Sequence, residues 1–232
     1  MVFLTGDTHG QFQRLQSFYE INPTLTEEDI LVILGDASFN YLGDERDNFG
    51  KKAVSRLPFQ VLCIHGNHEI RPENIEGYAL HTWNEGIVYR QPQYPNIFFA
   101  KDGEVYNLNG RKTIAIGGAY SVDKHYRLLR GYRWFADEQP SPATKKHVEA
   151  CCAAENWQVD AVLSHTCPIS YLPVEMFLGG IDQSTVDNST EEWLDQLEKK
   201  LSYTKWFCGH YHTDKQIDKI QFLFESIIPW PF

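Results

Sequence analysis

A chain of 232 residues, 42% of them hydrophobic, is long enough to bury a continuous core, and it holds no run of about 18 apolar residues that would cross a membrane. Its formal net charge of −10 argues against a protein that tracks extended nucleic acid, because such proteins carry a basic surplus. A small phosphorylated substrate or a nucleotide stays compatible, since bound divalent cations would reverse the local field.

In chain order, the apolar segment 2–4 reads as a buried strand running straight into Gly6-Asp7-Thr8-His9. The basic start and the apolar stretch of a secretory signal are missing there. Together with five cysteines in no CxxC or disulfide-framework pattern, this sets the expectation of a cytoplasmic protein with reduced thiols. Residues 11–19 place Phe12, Leu15, Phe18 and Tyr19 at helical spacing. Segments 30–34 and 59–64 read as buried strands that end on Gly35-Asp36 and Gly66-Asn67. A fourth strand, 113–116, leads into Gly117-Gly118 and then a stretch rich in basic and aromatic residues. A helix over 143–154 precedes a strand at 161–163, which ends near His165. A second helix spans 190–201, with Thr190 at a capped start. The strand 205–207 stops before Gly209-His210-Tyr211-His212, and 215–227 alternates as a pair of late strands. No repeat, low-complexity segment or linker divides the chain, so a single domain over 1–232 is expected. Strands alternating with helices indicate an α/β protein with parallel pairings, whose ligands gather beyond the carboxyl ends of its strands.

The residues at those ends carry the chemistry. Asp7, His9, Asp36, Asn67, His68, His165, His210 and His212 recur there, mostly after a glycine that permits a tight turn. If Asp7-x-His9 and His210-x-His212 are extended, each pair presents both side chains on one side. Carboxylate and imidazole together suit Mn, Fe, Zn or Ni rather than Mg or Ca. Seven such ligands exceed the needs of one ion, and two ions sharing a carboxylate is the economical count.

The ordered set Asp7-x-His9, Gly35-Asp36, Gly66-Asn67-His68-Glu69, His165 and Gly209-His210-x-His212 resembles the calcineurin-like metallophosphoesterases over nearly the whole chain. The resemblance implies a four-layer α/β/β/α sandwich of two mixed sheets flanked by helices. It also implies two divalent ions, manganese the first choice, in a hydrolase of phosphomonoesters or phosphodiesters. By it, Asp7, His9 and His212 take the first ion, Asn67, His165 and His210 the second, and Asp36 bridges. His68 matches the family's catalytic histidine, which contacts the scissile phosphate.

The chain departs from the serine/threonine protein phosphatases of that family. Phe39 stands where an aspartate pairs with the catalytic histidine, and His65 stands where an arginine grips phosphate. No other side chain reproduces a bidentate guanidinium. A protein phosphatase is thus the second reading, and a non-catalytic metal-binding scaffold the third. Glu69 and Asn40 are the candidates to orient His68. The stretch from Lys124 to Trp134 could supply the missing grip on substrate, with Arg127 and Arg130 as the phosphate contacts. Isolated His81 and His147 read as ordinary surface or core positions, and oligomeric state leaves no mark in the sequence.

Overall fold

The computed structural model describes residues 1–232. The first part of the chain forms β1 (Val2–Thr5), α1 (Gln13–Ile21), β2 (Ile30–Ile33), α2 (Asn48–Val54), β3 (Gln60–Cys63), β4 (Ala79–Trp83), β5 (Gly86–Arg90) and β6 (Ile97–Ala100). There follow β7 (Val105–Leu108), β8 (Arg111–Ile116), α3 (Lys124–Arg130), α4 (Pro142–Ala154), β9 (Ala161–Ser164), α5 (Ser189–Glu198), β10 (Lys205–Cys208), β11 (Lys215–Ile217), β12 (Ile220–Phe222) and β13 (Ile227–Pro229). One sheet has the order β13-β1-β2-β3-β6-β5-β4, the other β11-β12-β10-β9-β8-β7. Each has a parallel centre and antiparallel edges.

The central strands read as unbroken apolar runs because both of their faces are covered. Along β2 and its extension, Ile30, Val32 and Leu34 enter a cluster with Leu163 of β9 and Phe207 of β10, between the sheets. The alternate residues Leu31 and Ile33 face Leu15 and Phe18 of α1 and Val54 of α2. The second sheet repeats the pattern. Ala115 points inward, while Ile114 and Ile116 pack with Val148 of α4 and Leu194 and Leu197 of α5. Period-two alternation on two facing sheets thus gives the four-layer α/β/β/α sandwich that the resemblance implied. No helix is long and apolar enough to cross a membrane, and the cysteines are all free.

Three features differ from the sequence expectations. The strands β4, β5, β6, β7 and β13 and the helix α2 were not anticipated. β7 and β8 are joined by Asn109-Gly110 with φ of 54° and 79°, a turn the Asn-Gly pair does signal. β4 and β5 are joined by Asn84-Glu85 at 45° and 73°, where glutamate gives no such signal. The helix expected from Thr190 begins at Ser189. Thr190 caps nothing; its buried hydroxyl donates to Gln139 at 2.7 Å. The basic stretch after Gly118 also contains a short helix, α3, where no element was expected.

Phe207 is 1% exposed at the centre of the inter-sheet cluster. Phe207→Ala should cost about 3–5 kcal/mol in urea unfolding, in the range of large-to-small core truncations; a loss below about 1 kcal/mol would remove this cluster from its central role.

Candidate metal centre

The parallel registers align the carboxyl ends of β1, β2 and β3 in one sheet, and of β8, β9 and β10 in the other. Asp7, Asp36, Asn67, His165, His210 and His212 therefore leave the two sheets at one shared rim. Glycines let them close up. A Cβ on Gly66 would sit 2.0 Å from Asp36 Oδ1, and one on Gly209 would sit 2.2 Å from Asp7 Oδ1. His9, Asp36, His210 and His212 have φ of 45°, 48°, 66° and 49°. The expected extended pairs are therefore left-handed turns, and convergence comes from turn geometry rather than strand alternation. Backbone strain of this kind is affordable where the surroundings over-determine it.

Asp7 and Asp36 are each 1% exposed. Asp7 Oδ1 accepts from the His210 amide at 2.9 Å. Its Oδ2 has no hydrogen-bond partner and lies 3.3 Å from His212 Nε2 and 3.6 Å from His9 Nε2. His9 Nε2 and His212 Nε2 face each other at 2.8 Å. Asp36 Oδ1 accepts from the His68 amide at 2.8 Å and lies 3.8 Å from His165 Nε2, while its Oδ2 lies 4.0 Å from His9 Nδ1. Two groups of ligand atoms fall within 4.8 Å of one another: Asp7, His9 and His212, and Asp7, Asp36 and His165.

Hydrogen bonding fixes which atoms face each other at His165. Its Nδ1 lies 2.8 Å from the Leu34 carbonyl, so that nitrogen must donate. Nε2 of the neutral ring then carries a lone pair, 2.8 Å from Asn67 Oδ1. Asn67 cannot flip to relieve this, because its Nδ2 donates to Ser121 Oγ at 2.8 Å and the Ser121 hydroxyl in turn donates to Glu138 Oε2 at 2.5 Å. Two lone-pair bearers in contact need a cation between or beside them. His9 and His212 bring their Nε2 atoms equally close; no other hydrogen bond fixes their tautomers, so one ring can donate to the other, and the pair is compatible with a shared ion without requiring it. Nitrogen ligands about 2.0–2.1 Å from one ion lie roughly 3 Å apart, so both pairs fit a divalent cation.

In the metal-free site it is protonated histidine that offsets the buried carboxylates, the part a cation would take in that fit. Burial pushes the Asp7 carboxyl up, but His165, His212 and His9 outweigh it and leave Asp7 below the usual carboxylate range. Burial likewise opposes ionisation of Asp36, and His165 and His68 reverse it. Burial, with His165 beside it, holds His210 down to about 3. The Asp7 carboxylate beside it raises His212. The His210 ring stands beside His165, centroids 5.0 Å apart, outside both tight groups. Asp7 is the member common to the two groups, whereas the resemblance gives the bridge to Asp36.

His68 Nε2 lies 3.0 Å from an Arg127 guanidinium nitrogen and 3.9 Å from Asp36 Oδ2. Guanidinium only donates, so His68 Nε2 accepts there. Asp123, one helical turn before Arg127, holds that guanidinium at 2.8 Å. Neither expected partner orients His68: Glu69 accepts from the Gly66 amide, and Asn40 accepts from the Tyr78 hydroxyl. Arg130 is not brought to the site. It is exposed and lies over the Tyr126 ring at 5.5 Å. His65 turns away from the cleft into a separate pocket beside Arg71 and Asp102. Sequence reading missed Ser121, Glu138 and Asp123. Only Asp123 left a signal, its i,i+4 spacing to Arg127.

The family model described as calcineurin-like phosphoesterase matches residues 1–214. No curated protein matches the chain. Among solved structures, a phosphopantetheinyl hydrolase from Mycobacterium tuberculosis is 15% identical, covers 95% of this chain and 86% of its own, and has a TM-score of 0.43. A protein of unknown function from Aquifex aeolicus is 15% identical, with 72% and 80% coverage and a TM-score of 0.34.

Two outcomes are expected of chelator-treated protein. Adding Mn²⁺ to about 100 times its dissociation constant should stabilise the fold by about 2.7 kcal/mol per site, read as a rise in Tm; an unchanged Tm would contradict the fit. Without metal, burial holds His65, His68 and His210 below the ordinary histidine value, while His212 alone is raised. These lowered histidines make the unfolded chain bind more protons as pH falls through about 6.5. Glu69 and Glu191, raised by burial to about 8 and about 7, act the other way, so it is the histidine share of stability that should drop between pH 7 and pH 5. His210→Gln should flatten that slope in urea titrations; an unaltered slope would deny His210 this part.

Proposed function

Because the chain belongs to the calcineurin-like phosphoesterase family, we propose that it hydrolyses a phosphate ester, monoester or diester, at two divalent cations held around Asp7 and Asp36. What supports this best is the 2.8 Å contact between two lone-pair bearers, His165 Nε2 and Asn67 Oδ1, beside buried Asp36, with the facing His9 and His212 nitrogens beside buried Asp7. In this reading Asp7, His9 and His212 hold one ion, Asn67, His165 and His210 the other, and Asp36 lies between them. Manganese suits the mixed N/O set, which also accepts Fe, Zn or Ni. When bound, such a pair supplies an activated nucleophile and neutralises charge on the phosphoryl oxygens.

The remaining steps belong to side chains. Arg127, steadied by Asp123, offers its guanidinium to the phosphoryl oxygens from the side where His68 stands. A phosphoryl group that takes the Arg127 donor frees His68 Nε2. His68 then takes a proton from solvent at the freed Nε2, faces the ester oxygen and passes that proton to it as it leaves. Arg127 thus fills the part that an arginine at position 65 would play in a protein phosphatase. The direction of His65, away from the cleft, weighs against phosphoprotein as substrate. We read residues 1–232 as one domain that performs this reaction on a small ester.

His68→Ala should retain its metal, by elemental analysis, and lose about 10²–10⁴-fold in kcat; full turnover would remove His68 from the reaction. Arg127→Ala should raise KM for a phosphate ester by tenfold or more, with little rescue by Arg127→Lys. Arg130→Ala, which alters a residue outside the site, should change neither constant.

A further inference from the structure

The cleft does not end at the residues around Asp36. Asn67, His68, His210 and His212 form one side of a cavity of about 290 Å³. The far wall comes from residues 172–186, which contribute Leu172, Met176, Phe177, Leu178, Ile181 and Val186. This segment carries only single-turn helices at Val174–Met176 and Gln183–Thr185. It is nonetheless tied to the polar side, because Phe177 stacks on Tyr211, the residue between His210 and His212, with centroids 6.5 Å apart and planes at 27°. Two opposite chemistries therefore share one cavity.

Glu191, in the first turn of α5, lines the same cavity. It is 3% exposed. Its Oε1 accepts from the Thr166 hydroxyl at 2.7 Å, and its Oε2 has no partner. Burial raises this carboxyl to about 7. A buried carboxylate oxygen without a donor is costly; the six apolar neighbours offer none, and Tyr120, Gln183 and Asn188, which also line the cavity, are not bonded to it.

A phosphoryl group has no use for the apolar wall, so the wall belongs to the rest of the ester. We propose that the alcohol portion of the substrate is an apolar chain carrying a hydrogen-bond donor, laid along residues 172–186 with its donor on Glu191 Oε2. This rests on the phosphoesterase reading above. A polyhydroxylated alcohol would strand its hydroxyls against Leu172, Met176 and Ile181, at a penalty for every unpaired group. The wall thus selects against sugar and glycerol esters as well as for alkyl ones.

The test uses the full chain loaded with Mn²⁺. The substrates are butyl, hexyl and octyl phosphates, the matching alkyl p-nitrophenyl diesters, both series with a terminal hydroxyl, and glycerol 3-phosphate with its p-nitrophenyl diester. Release of phosphate or p-nitrophenol gives kcat/KM. Each buried methylene should raise it about fourfold, so the best alkyl ester should exceed the glycerol ester by tenfold or more. At one chain length the terminal hydroxyl should outperform the terminal methyl, against its ordinary cost in an apolar pocket. Ile181→Asp should abolish the alkyl preference and Glu191→Leu the hydroxyl preference. Equal turnover of alkyl and glycerol esters would overturn the apolar chain. Failure of the hydroxyl to help at any length would overturn the donor. Turnover of no ester at all, with metal bound, would remove the phosphoesterase reading and this inference with it.

Discussion

Two carboxylates buried within reach of each other, with imidazole and amide lone pairs aimed among them, form the constraint on which the rest of the molecule turns. Asp7 and Asp36 are almost fully removed from water, yet neighbouring histidines hold both below the usual carboxylate range. A buried charge is tolerated only when it is paired or coordinates a metal. The hydrogen-bond chain from Glu138 through Ser121 to Asn67 then fixes the amide so that its oxygen, not its nitrogen, meets His165. Cations would relieve these contacts at once, whereas protonating His165 alone would leave the unpartnered Asp7 Oδ2 as it is.

The fold exists in a form that delivers this arrangement. Each sheet alone would bring its strand-end residues to its own edge. Packing the two sheets face to face through Val32, Leu34, Leu163 and Phe207 puts the ends of β1, β2 and β3 against those of β9 and β10. The approach is closer than side chains on the turn residues would permit. Gly66 leaves space for the Asp36 carboxylate, and Gly209 leaves space for that of Asp7. Left-handed backbone at His9, Asp36, His210 and His212 then aims the side chains inward. Core packing and site geometry are therefore one problem: what the interior gains in burial holds the strained rim in place.

The segments that meet at the rim were legible because most follow an apolar run and a glycine, and because five short segments recur in a fixed order. The central strands other than β6 were legible for the same reason, burial on both faces. The edge hairpin β4–β5 was not, since its residues are half exposed and its turn uses glutamate in a left-handed conformation. The mode of convergence was misread: alternation in extended strands suggested itself for Asp7 and His9, and turns do the work. Arg127 and Arg130 look equivalent in sequence. Only the helix direction of α3 separates them, one toward His68 and the other over Tyr126. The wall at residues 172–186 left no periodic trace, because irregular chain carries neither a helical nor a strand pattern.

The most direct measurement is an anomalous-scattering map from crystals grown with Mn²⁺. The account predicts two peaks flanking the Asp36 carboxylate, one beside Asp7, His9 and His212 and the other beside Asn67 and His165. A map with no peak among these residues, from protein supplied with manganese, would contradict it.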